Sequence, residues 1–316
     1  MTLKESLLSM LLTGKSVSGE AAADTFGVTR AAVWKTVCRL RQEGYPIEAL
    51  PGTGYRLCPS DRLYPGRLAP LLPPQIGHFE VFNVTDSTNR QAKIYAEEHP
   101  GIPALFIANE QTGGRGRRGR SFRSEKDCGL YMSLVLFPSL PAQTSVRLTT
   151  AAAVVVAQVL EEMSGTPAGI KWVNDIYMKG KKVCGILTEG ALDVESGTFR
   201  YAVVGIGINV RHTDFPPELA DIATTVEAAA GTAPDRTQLA AEITRRLLST
   251  DPTSPAVMDA YRARMFLTGH RVNVLDPAGS YPATVTGVAD DGSLLIRAED
   301  GTDRALSSGD VSVRGL

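Results

Sequence analysis

The chain has 316 residues, of which 43% are hydrophobic and 21% charged, and its formal net charge is -1. This is the composition of a soluble globular protein, long enough for two or three domains at roughly 100–200 residues each. A charge balance near zero excludes nucleic-acid binding through the field of the whole molecule, so any such affinity must come from a local patch. No apolar run approaches the ~20 residues of a membrane span. The first residues lead into an amphipathic helix rather than a cleavable signal. Cys38, Cys58, Cys128 and Cys184 are scattered without a CxxC pair, which argues against a disulfide or zinc framework. A reducing cytoplasm is the simplest location.

Leu3, Leu7, Leu8 and Leu11 recur at helical spacing and predict a first helix ending near Gly14. Ser18 caps a helix from Gly19 to Phe26, and Gly27-Val28 makes a turn. Thr29 then caps a third helix to Glu43, with Val33, Val37 and Leu40 as its buried stripe. Ile47–Leu50 and Tyr55–Cys58, split by Pro51-Gly52-Thr53-Gly54, read as a two-stranded wing. Two readings fit: a small helical docking module, or a winged helix whose third helix enters the major groove. The wing favours DNA. Thr29, Arg30 and Lys35 would then meet phosphates and base edges, with Arg56 reaching the backbone from the wing. Gly19, Ala31 and Cys38 complete the candidate DNA-facing set. Seven basic and five acidic side chains leave residues 1–60 at only +2.

Proline-rich residues 59–75 predict a semi-rigid connector. Beyond it come a strand from Phe79 to Val84 and a helix opened by Thr85-Asp86-Ser87-Thr88-Asn89. Ser87 or Asp86 is placed either to cap that helix or to leave its amides for an anion. Gln111-Thr112-Gly113-Gly114-Arg115-Gly116-Arg117-Arg118-Gly119-Arg120 then alternates arginine with glycine between two apolar strands. Glycine allows close approach of the backbone, and arginine offers a permanent charged fork for phosphate or carboxylate. The stretch reads as a ligand loop held on a sheet, because a disordered arginine-glycine tail would lack those flanking strands. A buried helix from Val146 to Met163 follows. Then come Lys171-Trp172-Val173-Asn174-Asp175, a lysine-rich turn with Lys179, Lys181 and Lys182, and a strand through Gly185-Ile186-Leu187-Thr188-Glu189. Gly205-Ile206-Gly207-Ile208-Asn209 lies on a further strand. It fails the dinucleotide pattern, since no third glycine or glycine-opened helix follows. Its glycines leave room for a ligand or another backbone. Strands joined by short turns favour an α+β domain with a largely antiparallel or mixed sheet. After two helices, Gln238–Leu248 and Pro255–Phe266, short strands from Arg271 to Arg314 with turns at Asp290-Asp291-Gly292 and Glu299-Asp300-Gly301 predict a small β-barrel.

Ser87-Thr88-Asn89, Gln111 with the arginine-glycine loop, Lys171-Trp172-x-Asn174-Asp175, Lys182-x-x-Gly185-Ile186-Leu187 and Gly205-Ile206-Gly207-Ile208-Asn209, in this order, resemble one family. It is that of the biotin–protein ligases that double as biotin-operon repressors. The resemblance implies a winged helix at 1–60, a linker at 61–75, a ligase domain at 76–267 and an SH3-like domain at 268–316. It implies that biotin and ATP, with magnesium carried by ATP and no protein metal site, give biotinyl-5′-adenylate. Biotin then passes to a lysine of the biotin carboxyl carrier protein of acetyl-CoA carboxylase. As partners it implies operator DNA and a second copy of the chain when the adenylate is bound, with no membrane.

Carried onto this sequence, Ser87, Thr88, Asn89, Gln111, Arg115, Gly116, Arg117, Lys182, Gly185 and Leu187 become the biotin set. Arg117, Arg120, Lys171, Trp172, Asn174, Asp175 and Asn209 become the ATP and adenylate set. Lys182, Arg117 and Asp175 become the catalytic trio. Without the motif, Lys182 reads as a solvated lysine and Trp172 as wall or core. Val173 stands where the family has proline, which loosens that turn. Phe122 stands where some members have tryptophan, and Phe215 is left to cover adenine. The alternatives are a lipoate-type acyl ligase on the same architecture, and a ligand-sensing DNA-binding regulator without catalysis. The barrel is either a stabilising cap or a contributor to carrier or ATP binding.

Overall fold

The computed structural model describes residues 2–58, 60–141, 144–193, 195–276, 279–307 and 310–312. The chain begins with α1 (Leu3–Leu12), α2 (Gly19–Phe26) and α3 (Arg30–Gln42), followed by a hairpin of β1 (Ile47–Leu50) and β2 (Gly54–Leu57). The Ser18 and Thr29 hydroxyls accept from the first-turn amides of α2 and α3, satisfying donors that a helix start leaves open. Leu7, Leu11, Val33, Val37 and Leu40 close a core between the three helices. Val17 exchanges backbone bonds with Tyr55 at 2.7 and 2.8 Å, giving the wing a third short rung.

Residues 60–75 are not a free connector. They carry α4 (Pro65–Leu68) and a 3₁₀ turn, and Leu63 and Leu68 are fully buried in the central core. Tyr64 joins the winged-helix core instead, its ring 4.7 Å from that of Tyr45. The Asn109 amide grips Leu63 on both sides, accepting its N–H at 3.1 Å and donating to its carbonyl at 2.8 Å. Asp61 pairs with Arg211 and with the buried Arg236. Proline content reports backbone stiffness and says nothing of burial. The start of that predicted connector, Pro59, lies outside the described residues.

The central unit runs β3 (His78–Phe82), α5 (Thr88–Glu98), β4 (Ala104–Ala108), β5 (Gly129–Leu136), α6 (Ser145–Ser164), β6 (Gly169–Lys171), β7 (Asp175–Met178), β8 (Lys181–Leu192) and β9 (Phe199–Asn209). The helices α7 (Pro217–Ala220), α8 (Val226–Ala230), α9 (Arg236–Ser249) and α10 (Pro255–Arg264) follow. Seven strands form one sheet in the order β3-β4-β5-β9-β8-β7-β6, with β3 and β4 parallel and the remaining pairs antiparallel. Helices cover both faces. Leu105 and Ile107 of β4 enter the main core with α6, whereas Ala104 and Phe106 pack in the cluster with Ala92 and Ala96 of α5. That double burial explains the unbroken apolar run of β4.

Five antiparallel strands close the chain: β10 (Arg271–Asp276), β11 (Gly279–Val288), β12 (Leu294–Ala298), β13 (Asp303–Leu306) and β14 (Asp310–Ser312), in the order β13-β12-β11-β10-β14. The last predicted strand ran on to Arg314, which lies outside the described residues. Val272, Val274, Val285 and Ile296 share the central core, so this SH3-like unit is packed on the ligase domain and not tethered to it. Among the described residues no helix is long and apolar enough to cross a membrane.

Candidate active site

Period-two alternation in β8 and β9 builds the floor of the site. Ile206 and Ile208 point into the core, which leaves Gly205 and Gly207 on the other face of the sheet. Gly207 faces Gly185 across the β8–β9 pair. A Cβ on Gly207 would fall 2.6 Å from the Phe122 ring, and one on Gly205 would fall 2.0 Å from Asn89 Oδ1. The glycines thus admit two side chains of the protein, where the sequence suggested a ligand or a backbone. Over this floor lies a cavity of about 310 Å³.

Ser87, Thr88 and Asn89 line one end, at the start of α5. Neither Ser87 nor Asp86 makes the expected side-chain cap. Ser87 occupies the cap position without a capping bond, and Asp86 Oδ1 instead accepts from Ser87 N at 2.7 Å and Gln91 Nε2 at 3.0 Å. The open first amide of α5, Thr88 N, is taken by Gln111 Oε1 at 2.8 Å, while Gln111 Nε2 donates to Ser124 at 2.8 Å. The hydrogen bond from Gln91, then those from Ser87 and Arg90, hold the Asp86 carboxyl down at about 2 against desolvation, from 3.8. A depressed carboxyl stabilises the fold above its unfolded pKa and loses that effect as pH falls through the folded one. Asp86→Asn should therefore lower the thermal midpoint at neutral pH and flatten its dependence between pH 3.8 and about 2. An unchanged acid limb in a melting series would show this clasp to be energetically silent.

The arginine loop folds back on itself as the sequence suggested. Gln111 bridges to Ser124 and Arg115 to Ser121, and Gly116 N donates to Arg120 O at 2.7 Å. This brings Arg115, Arg117, Arg120 and Arg123 to the cavity, joined by Lys171 and Lys182 from the far strands. Against these six cations the described lining holds one acid, Asp175. Lys182 Nζ stands 2.7 Å from Asp175 Oδ1 as an ion pair without hydrogen-bond geometry, and that oxygen accepts no hydrogen bond among the described residues. Arg117 donates to Asn174 Oδ1 at 3.2 Å, and Asn174 is fixed in turn by the Ile186 carbonyl at 2.7 Å. Asn209, Gly185 and Leu187 also line the cavity. Its apolar end is made by Phe215, Leu219 and Ile222, with Tyr177 beside Lys171.

Trp172 departs from the adenylate set. It is 4% exposed and donates Nε1 to the Gly292 carbonyl at 2.9 Å, so it docks the C-terminal unit and does not line the cavity. The cause is parity, because its neighbour Lys171 faces the cavity. Val173 leaves no slack either: it is buried, and its carbonyl accepts from Tyr261 OH at 3.1 Å. Leu219, Ile222 and Tyr177 were missed, since a short loop helix and one aromatic residue carry no motif.

In the winged helix, Arg30, Ala31 and Lys35 are exposed on α3, while Thr29 caps it and Cys38 is half-buried. Gly19 sits against the Tyr55 ring. Arg56 is not free: its guanidinium meets Glu48 at 2.6 Å across the hairpin, where the two are register partners. Trp34, 53% exposed one turn beyond Arg30, was not anticipated.

Fold and cavity define a class: an α+β ligand-activating domain with a polycationic cleft, fitted with an amino-terminal winged helix. Residues 81–209 match the biotin/lipoate A/B protein ligase family, residues 4–56 an HTH domain and residues 268–314 the biotin protein ligase C-terminal domain. The chain is 36% identical over 308 residues to the bifunctional ligase/repressor BirA of Bacillus subtilis, covering 92% of both chains. It is 32% identical over 247 residues to BirA of Escherichia coli, covering 76% of this chain and 74% of that one. Biotin protein ligase from Aquifex aeolicus, solved in complex with biotin and ATP, superposes with a TM-score of 0.61 at 28% identity, over 75% of this chain and 98% of that one. The chain belongs to the biotin–protein ligase family, among its bifunctional ligase/repressors.

Proposed function

We propose that the cavity joins biotin to ATP and passes the product to a carrier lysine, and that the winged helix makes the same chain a biotin-responsive repressor. The observation that carries this is one cleft lined by three kinds of environment. A hydrogen-bonding end at Ser87, Thr88 and Gln111 suits the ureido ring. Six cations suit a carboxylate beside a triphosphate, and an apolar end at Phe215, Leu219 and Ile222 suits adenine.

In the first step a carboxylate oxygen of biotin attacks the α-phosphorus of ATP, forming the mixed anhydride as pyrophosphate leaves. Two anions must meet, so preorganised positive charge lowers the barrier most. Lys182, Arg115 and Arg117 supply it, with Arg120 and Lys171 on the phosphates and Asn174 and Asn209 as polar supports. In the second step the carrier amine attacks the biotinyl carbonyl, loses a proton and expels AMP. Asp175 is placed to orient that amine or take its proton once Lys182 turns to the phosphate. Among the described residues lining the cavity, Asp175 is the one carboxylate that magnesium could meet, and it is already paired with Lys182. The ion would arrive on the phosphates of ATP.

Pyrophosphate release from ATP on addition of biotin, and not of lipoate, is the decisive experiment. Release without either, or with lipoate alone, would defeat the reading. Arg117→Ala should weaken retention of biotinyl-adenylate far more than binding of biotin, because biotin alone brings no phosphate for it to contact. At about 1.5–3 kcal/mol for a charge-assisted hydrogen bond, adenylate dissociation in a filter-retention assay should quicken roughly ten- to a hundredfold. Equal losses for both ligands would remove Arg117 from the phosphate.

A further inference from the structure

The chain has two tryptophans, and the fold uses them in opposite ways. Trp172 is 4% exposed and spends its indole N–H on the Gly292 carbonyl. Trp34 is 53% exposed on α3, the second helix of the helix-turn-helix. A single apolar side chain on a surface needs no explanation by itself. What sets Trp34 apart is the helix face it shares.

Val33, Val37 and Leu40 form the buried stripe of α3. The face beside that stripe carries Arg30, Ala31, Trp34 and Lys35, all exposed, with Cys38 half-buried one turn further on. Every charged residue of α3 is basic. Toward its C-terminus those charges are spent on the protein: Arg39 pairs with Glu43 at 3.3 Å, and Arg41 donates to the Ile47 carbonyl at 2.8 Å. Arg30 and Lys35 stay exposed in the N-terminal half, one turn before Trp34 and directly after it. The indole thus stands between two cations on the half of a recognition helix that meets base edges. Long side chains on a helix lean toward its N-terminus, and the residue on that side, Ala31, is small enough to leave the ring room.

The chemistry of the groove narrows the contact. Base edges in the major groove present donors, acceptors and one apolar group, the C5-methyl of thymine. An indole held there by flanking phosphate contacts gains most by covering that methyl, because apolar area then leaves water on both partners. We propose that Trp34 is a specificity-determining residue of the winged helix, its indole covering the methyl of one thymine in each operator half-site. The proposal rests on the repressor reading above and goes beyond it; the ligase cavity has no part in it.

The test uses the full-length protein with biotin and ATP. A preferred duplex is first selected by the wild-type chain from a pool of random sequence. Each thymine of that duplex is then replaced in turn by uracil, which removes the methyl and nothing else, and affinities are measured by fluorescence anisotropy. At one thymine per half-site the swap should weaken wild type about fourfold, and roughly fifteenfold when made in both half-sites, the worth of one buried methyl at each. Trp34→Ala should bind the unmodified duplex roughly thirtyfold more weakly, the loss expected of a hot-spot side chain, and be indifferent to uracil at that position. Its slope of affinity against salt should match wild type, because no charge is removed. Trp34→Phe, which keeps an aromatic ring, should keep the thymine preference. Biotin-dependent pyrophosphate release should be the same in all three. If Trp34→Ala melts early or binds too weakly to compare, Trp34→Gln, a good helix former without an apolar ring, carries the same comparison. A wild-type chain indifferent to every uracil swap overturns the proposal and leaves the repressor reading intact. So does a Trp34→Ala chain that loses DNA affinity yet keeps the full thymine preference, which would assign the indole to a contact between protein copies. A wild-type chain that selects no sequence at all overturns both.

Discussion

Replacing Lys182 by alanine should slow biotin-dependent pyrophosphate release by about 10²–10³-fold, the usual cost of removing one preorganised group at a developing charge. The structure separates this lysine from its neighbours. Its Nζ sits in the cleft against Asp175, and its backbone is locked to the following loop, donating to Ile222 O at 2.8 Å and accepting from Thr224 N at 2.9 Å. Lys179 occupies the turn with a φ of 46°, and Lys181 reaches away to the Ala220 carbonyl at 2.7 Å. Lys179→Ala should be silent. Lys181→Ala should cost a few-fold at most, since it loosens only an exposed contact beneath the apolar end, worth about 0.5–1.5 kcal/mol. Removing Lys182 also leaves Asp175 as an uncompensated negative charge facing two anions. Asp175→Asn in the Lys182→Ala background should then recover part of the adenylation rate, a non-additivity expected of touching residues. Three lysine variants with equal rates would return Lys182 to the surface class.

Biotin with ATP should tighten binding of the full-length chain to promoter DNA of biotin-synthesis genes by about 5–150-fold, the range of an ordinary allosteric coupling. One recognition helix on a module of net +2 makes few phosphate contacts, so specific binding should need two copies reading two half-sites. The adenylate would act by favouring a dimer of the central domain, without touching DNA. The mechanical link is short. Asn109, which grips Leu63, lies two residues before Gln111, and the Tyr45 hydroxyl accepts from Gly66 N at 3.2 Å, tying the winged helix to the same segment. A combined Arg30→Ala and Lys35→Ala variant, both positions being exposed, should lose DNA binding while keeping ligase activity. Its salt dependence should fall by about 1 in log-log slope for each phosphate contact removed. A shift assay indifferent to biotin and ATP would remove the repressor half and leave the ligase half standing. So would undiminished binding by the double variant. A carrier protein that accepts biotin should relieve the shift by consuming the adenylate.

Much of the site was legible because motif spacing and strand parity are local properties. The arginine-glycine loop between two apolar strands, Lys171 with Asn174 and Asp175, Lys182 with Gly185 and Leu187, and the alternating glycines before Asn209 all reach one cavity. Capping and stripe patterns placed α2 and α3 to within a residue, since side-chain oxygens and apolar periodicity act within a turn or two. What only the tertiary structure decided is where each chain segment meets distant ones. Trp172, inside a functional motif, turned out to anchor the C-terminal unit through Gly292, more than a hundred residues away. Within proline-rich residues 60–75, Leu63 and Leu68 became core because they found a hydrophobic interior that their own neighbours do not supply. Arg56 met Glu48 through hairpin register. Hydrogen bonds linking Glu189, Asn89, Ser133 and Thr88 join β8, α5 and β5. A one-dimensional pattern specifies which face a residue takes, whereas hydrogen-bond partnership is settled by packing, where each buried polar atom must be matched in three dimensions.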